Sequence, residues 1–213
     1  MSPWFSITIS CLALAISGIT AWLTFFRKGK LVMTQPTVVF FGPDKDVHNK
    51  VYLRTLLYST AKRGQVLESL HVTLHRNESK QNFNIWVYGD KGNLKRGSGL
   101  FVPQEGVTFD HHFLLPEDGA GFNFLAGNYK LIVYAKLVGK HSAHELMSIN
   151  LHINDTQAKQ LAEPNTGIYF DWGPDQQDYY AHIDKKSEKE TGMEQLIEIM
   201  ANKALQPTAG SGG

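Results

Sequence analysis

The chain has 213 residues, 42% of them apolar and 19% charged, with a net charge of +1. That length suits one packed domain of about 150 residues with an anchor or tail, and excludes two large catalytic domains. Residues 1–30 hold Arg27, Lys28 and Lys30 and no acid; subtracting these three leaves 18 basic against 20 acidic residues, so neither disorder nor a bulk electrostatic grip on nucleic acid fits.

From Trp4 to Phe26 the chain runs 23 residues without a charge. After a short N-terminal tip, residues 1–3, this stretch is read as a retained transmembrane helix over 4–26, roughly 34 Å long, with the lipid bilayer as its partner. Trp4 at one end and Trp22, Phe25 and Phe26 at the other suit the two interfaces. A cleaved signal peptide is the rival reading. It wants basic residues before the apolar run and a small-x-small site after it, whereas here the basic residues follow and the exit reads Phe25-Phe26-Arg27-Lys28. The same three cations predict a cytoplasmic domain by the positive-inside tendency; a domain on the opposite side of the membrane is the alternative. Cys11, the single cysteine, lies inside the span. The remainder therefore has no disulfide, thiolate metal site or cysteine nucleophile, in keeping with a reducing compartment.

A linker over 27–36 leads to a run of short apolar segments with turn residues between them. Val38 to Phe41 is stopped by Gly42-Pro43-Asp44, and Val51 to Tyr58 is apolar on much of both faces. In the next strand Leu70, Val72 and Leu74 face one way and His71, Thr73 and His75 the other; Phe83, Ile85 and Val87 then alternate with Asn84, Trp86 and Tyr88. Leu100 to Val102, Val107 to Leu115, Tyr129 to Leu137 and Leu146 to Ile153 bring the total to about eight strands. Residues 37–153 thus predict an antiparallel β-sandwich. Gly127-Asn128-Tyr129 before the strand Lys130 to Ala135 resembles the late strand of immunoglobulin-like sandwiches, where a tyrosine after a turn packs inward and bonds the backbone at the corner.

Residues 154–185 read as an aromatic and acidic extension packing on the sandwich. Thr156 to Glu163 suggests a short helix ended by Pro164, and Ile168 to Phe170 an edge strand. Ser187 and Glu190 have capping-box spacing, and Met193, Leu196, Ile197 and Met200 recur at helical intervals, predicting an amphipathic helix over 187–204 before a disordered tail, 205–213.

Three stretches carry a resemblance: Lys50-Val51-Tyr52-Leu53-Arg54-Thr55-Leu56-Leu57-Tyr58-Ser59-Thr60; Arg76-Asn77-Glu78-Ser79 with Gln81 to Asp90; and Glu163-Pro164-Asn165-Thr166-Gly167-Ile168-Tyr169-Phe170-Asp171-Trp172-Gly173-Pro174. They are similar to an uncharacterised family of bacterial single-span membrane proteins with a β-sandwich-like soluble domain. The resemblance covers the anchor and most of residues 34–175. It implies an organisation, and no activity or cofactor.

Among residues with chemical potential, Asp110 and His112 share one strand face two positions apart, an arrangement that suits proton relay or metal binding; His111 faces the other way among apolar neighbours. His71 and His75, four residues and so roughly 13 Å apart, do not reach one ion together. Asp171, Asp175 and Asp178 lack the glycine and terminal glutamate of a calcium loop. Phosphate-loop, dinucleotide and serine-elbow motifs are absent from the sequence. The most suggestive cluster is Tyr169, Phe170, Asp171 and Trp172 in a late loop, with Trp86 and Tyr88 on one strand face, because rings bury much area at low entropic cost. The predicted function is a membrane-anchored, non-catalytic binding or scaffolding module for a protein partner, without cofactor, metal or nucleic acid. The alternatives are a membrane-tethered hydrolase using Asp110 and His112, and a periplasmic envelope-binding module.

Overall fold

The computed structural model describes residues 3–27, 29–43, 49–89, 94–116 and 122–185. The chain opens with helix α1, Pro3–Ala21, whose last turn widens into a π-helical turn at Trp22–Phe26. No side chain of α1 is buried, and the 24 residues Pro3–Phe26 are long and apolar enough to cross a membrane. Three of its hydroxyls bond back within the helix: Thr8 donates to the Trp4 carbonyl at 2.8 Å, Ser10 to Ser6 at 2.9 Å and Thr20 to Ile16 at 2.8 Å. Back-bonding of this kind removes the cost of an unpaired hydroxyl in a hydrocarbon setting.

The strands that follow are β1 Leu31–Met33, β2 Val38–Pro43, β3 Asn49–Ser59, β4 Gln65–Arg76, β5 Ser79–Phe83, β6 Ile85–Gly89 and β7 Lys95–Arg96. They continue as β8 Leu100–Val102, β9 Val107–Leu114, β10 Gly127–Leu137 and β11 His144–Ile153; helix α2, Asp155–Leu161, then precedes β12 Thr166–Gly173 and β13 Asp178–Lys185. Among the described residues all pairings are antiparallel. One sheet runs β13-β12-β2-β3-β9-β6-β7, with β1 beside the end of β3; the other runs β11-β10-β4-β5, with β8 beside the start of β4. Their inner faces share one core: Val39, Phe41, Val51, Leu53, Phe113, Ile168 and Phe170 from the first meet Leu67, Leu70, Val72, Leu74, Leu131, Val133 and Leu151 from the second. Leu67 and Leu70 both point inward although three residues apart, because the pairing slips where Ser69 opposes Lys136 and Leu67 opposes Leu137. The extra residue, Glu68, resets the alternation.

Several predicted features change in detail. Residues 27–36 are not a free linker, since β1 lies within them and buries Leu31 and Met33. The expected edge strand at Ile168 to Phe170 is an eight-residue interior strand, flanked by β2 on one side and β13 on the other. Its alternation supplies the reason: Ile168 and Phe170 go to the core while Tyr169 and Asp171 go outward, so the segment forms a sheet strand rather than a loop. Helix α2 begins one residue earlier than the sequence suggests, at a capping box. The Asn154 side chain accepts from the Gln157 amide at 2.8 Å and the Gln157 side chain accepts from the Asn154 amide at 3.0 Å. The predicted helix over 187–204 and tail 205–213 lie outside the described residues.

Candidate functional site

The exposed face of the eight-stranded sheet gathers what the sequence scatters. In cross-strand register, His182 opposes Tyr169, Tyr169 opposes Phe40, Phe40 opposes Tyr52 and Tyr52 opposes His112. Odd and even positions leave a strand on opposite sides, so register alone sets all five rings on one face. Tyr169 stacks on His182 with centroids 5.5 Å apart and on Phe40 at 4.7 Å; Tyr52 and His112 are 5.0 Å apart. Phe40 lies across Gly42 and Gly167. A Cβ at either glycine would run into the Phe40 ring, so at these two positions glycine is a requirement of close approach.

The neighbouring row is charged. Val38 stands between Asp171 and Arg54, and Arg54 opposes Asp110. The Tyr52 hydroxyl donates to the Asp110 carboxylate at 2.9 Å, Arg54 approaches the same oxygen at 3.5 Å, and His182 Nδ1 lies 3.2 Å from Asp171. Burial, followed by the Asp110 carboxylate it bonds, pushes the Tyr52 phenol above its ordinary range. Burial and then the Asp184 and Asp171 carboxylates push Tyr169 upward as well. Both phenols are therefore neutral hydrogen-bond donors at physiological pH. The face combines ring surface, phenol donors and carboxylate acceptors, an inventory suited to holding a polypeptide surface.

Asp110, His112, Tyr169 and Asp171 thus share one face, the first two on β9 and the last two on β12, with β2 and β3 between them. Trp86 and Phe170, expected as contact residues, are instead core: they are 3% and 1% exposed. The correction for Trp86 has a simple origin. The chain leaves one sheet at Phe83 and enters the other at Ile85, and this crossover restarts the alternation, turning Trp86 inward. Tyr88 is half-buried beside it, stacked at 4.7 Å, its hydroxyl donating to the Gly99 carbonyl. Trp172 packs edge-on against Tyr179, whose hydroxyl donates to the Pro36 carbonyl and accepts from Gln35, clasping residues 35 and 36 to the last hairpin.

Phe40, Tyr52, Arg54 and His182 belong to the face and escape the sequence reading. Tyr52 and Arg54 do sit at alternate positions, which is a usable signal. Phe40 is hidden in the apolar run Val38 to Phe41, and His182 needs β13 to exist.

Directly behind the face, Trp86 Nε1 donates to His111 Nδ1 at 3.1 Å, which leaves the proton of neutral His111 on Nε2. That Nε2 is buried without a partner among the described residues, and burial, then the charge of His112, pushes the imidazole down to about 3. Elsewhere a cleft of about 710 Å³ is lined by residues including His75, Asn128, Lys130, His152 and Asp178. Asp110, His112, Tyr169 and Asp171 are not part of its wall. Among the described residues, no three His, Cys, Asp or Glu stand together where they could hold a metal ion.

No protein-family model matches the chain, and no curated protein shows significant similarity to it. The chain is a mainly β protein of two antiparallel sheets with, among the described residues, one N-terminal helix long and apolar enough to cross a membrane.

Proposed function

We propose that the protein is a single-pass, membrane-anchored binding or scaffolding module, in which α1 holds an immunoglobulin-like β-sandwich at the inner face of a bacterial membrane. The outer face of the eight-stranded sheet engages a protein partner there. Confinement to the membrane plane raises the effective concentration of such a module near membrane partners.

Two features support the immunoglobulin-like reading. The strand orders β2-β3-β9-β6 and β5-β4-β10-β11 follow the A-B-E-D and C′-C-F-G orders of that fold. Near the start of β10 the buried Tyr129 hydroxyl donates to the Leu125 carbonyl at 2.7 Å and accepts from the Leu125 amide at 2.9 Å, as a tyrosine corner does. The hairpin β12-β13 is an addition, extending the sheet beyond β2.

The observation that carries the binding reading is the register that sets His182, Tyr169, Phe40, Tyr52 and His112 in one line on the outer face of the sheet. A photo-crosslinking residue placed at Tyr169 of the full chain in intact cells tests it, with the same residue at Lys80, on the other sheet, for comparison. A discrete adduct from position 169 that disappears with Tyr52→Ala is expected. Absence of an adduct at 169, or the same adducts from both positions, overturns the reading.

A further inference from the structure

The end of the β domain nearest α1 is chemically unlike the rest. Only Arg27 and Lys28 separate Phe26 from Gly29, and the three Cα–Cα steps between them reach at most about 11 Å. Gly29 and Lys30 are fastened to the turn between β3 and β4. The Gly29 carbonyl accepts from Gln65 Nε2 at 2.9 Å, the Lys30 amide donates to Thr60 Oγ1 at 2.8 Å, and the Lys30 carbonyl accepts from the Thr60 amide at 3.0 Å. Gly29 lies so close to Ala61 that a Cβ would approach its backbone to 2.7 Å. This turn is therefore held where the apolar helix ends.

Three large apolar side chains are exposed beside that turn: Val66 at 46%, Phe101 at 56% and Val138 at 60%. They are contiguous, since Val66 opposes Phe101 across β4 and β8 and the Val138 amide donates to the Val66 carbonyl at 3.0 Å. Outside the apolar segment Pro3–Phe26 the other exposed large apolar residues among those described are Leu94, Leu125 and Tyr180. Around it stand the exposed cations Lys30, Lys62, Arg63 and Lys140, none paired with a carboxylate among the described residues. The adjacent loop between β8 and β9 carries one acid, Glu105, and the turn between β12 and β13, which points the same way as the end of β3, carries Asp175.

We propose that this end of the domain, with Val66, Phe101 and Val138 at its centre and Lys62, Arg63 and Lys140 around them, rests on the anionic headgroups of the bilayer that α1 crosses. The inference builds on the reading of α1 as a retained span. Its occupant follows from the geometry: the tether is too short to hold the patch far from the membrane, an aromatic ring with aliphatic neighbours suits the interfacial layer, and unpaired lysine and arginine match lipid phosphates. Docking also orients the binding face. β3 meets the membrane surface at Ser59, and Tyr52, seven residues earlier in the strand, stands roughly 23 Å above it, so the aromatic row, which crosses the strands, runs along the bilayer at that height and is open to a lateral partner.

The test uses the full chain with Cys11→Ser, carrying Phe101→Cys or Glu78→Cys labelled with an environment-sensitive fluorophore, in vesicles of phosphatidylcholine and phosphatidylglycerol. Glu78 lies past the far end of β4, about 33 Å or more from Val66. At position 101 the label is expected to be quenched by brominated lipid and several-fold less accessible to aqueous iodide than at 78. The combined variant Lys62→Glu, Arg63→Glu and Lys140→Glu should abolish that protection. Equal iodide access at 101 and 78, or protection that survives the charge reversal, overturns the docking while retention of the protein through an alkaline carbonate wash leaves the span intact. Release by carbonate overturns the span, and the docking with it.

Discussion

The two faces of the eight-stranded sheet are built from the same kinds of residue and behave oppositely. Phe41, His111 and Phe170 are inside, with at most 1% of their surface exposed; their immediate neighbours Phe40, His112 and Tyr169 are outside and half-buried. Within each pair the difference is one position along a strand, which is enough to invert the environment. The contrast teaches that aromatic content here reports neither core nor site. Inside, the rings fill space against the second sheet; outside, they lie along a row held by cross-strand contacts, glycine clearance and carboxylates.

That contrast can be broken most violently from within. Phe41 contacts Phe124 at 4.9 Å, Phe170 at 5.3 Å and Tyr129 at 6.0 Å, so it joins both sheets and the corner. Phe41→Ala is expected to cost about 3–5 kcal/mol in urea unfolding of the full chain in detergent, because a rigid core collapses only partly around a lost ring. Phe40→Ala, one residue away, should cost far less by the same measurement.

His111 gives the next effect, through pH. Its folded value lies near 3 against an ordinary value of 6.5, so between these limits the unfolded chain takes up a proton that the folded chain refuses. Stability should thus be full above pH 6.5 and fall as the pH drops, by up to about 1.4 kcal/mol per pH unit. Unfolding midpoints measured from pH 7.5 to 5 should decline less steeply in His111→Leu than in the native chain. Equal slopes would remove His111 as the cause.

The smallest effect is expected outside. Tyr52→Phe removes the hydroxyl that Asp110 accepts, leaves Arg54 beside that carboxylate, and should cost about 0.5–1.5 kcal/mol in the same assay. A loss as large as that at Phe41 would mean the outer row holds the fold together and is not a free surface.

Much of this organisation is legible in the residues alone, because local periodicity and composition decide it. Twenty-three uncharged residues make α1 apolar enough to span; strict alternation in Leu70 to His75 and in Val107 to Leu115 sets their inward faces, including that of His111; Gly127-Asn128-Tyr129 announces the corner. Three things needed the tertiary structure. Trp86 could not be assigned a face, since the chain changes sheets at Asn84 and the alternation starts afresh. Tyr169 to Trp172 look like a loop until β2 and β13 offer edges on both sides, for a strand's identity lies in its partners. Finally, the row from His182 to His112 joins residues from four distant segments, and only strand register, a property of pairing between segments and not of any one of them, decides that they meet.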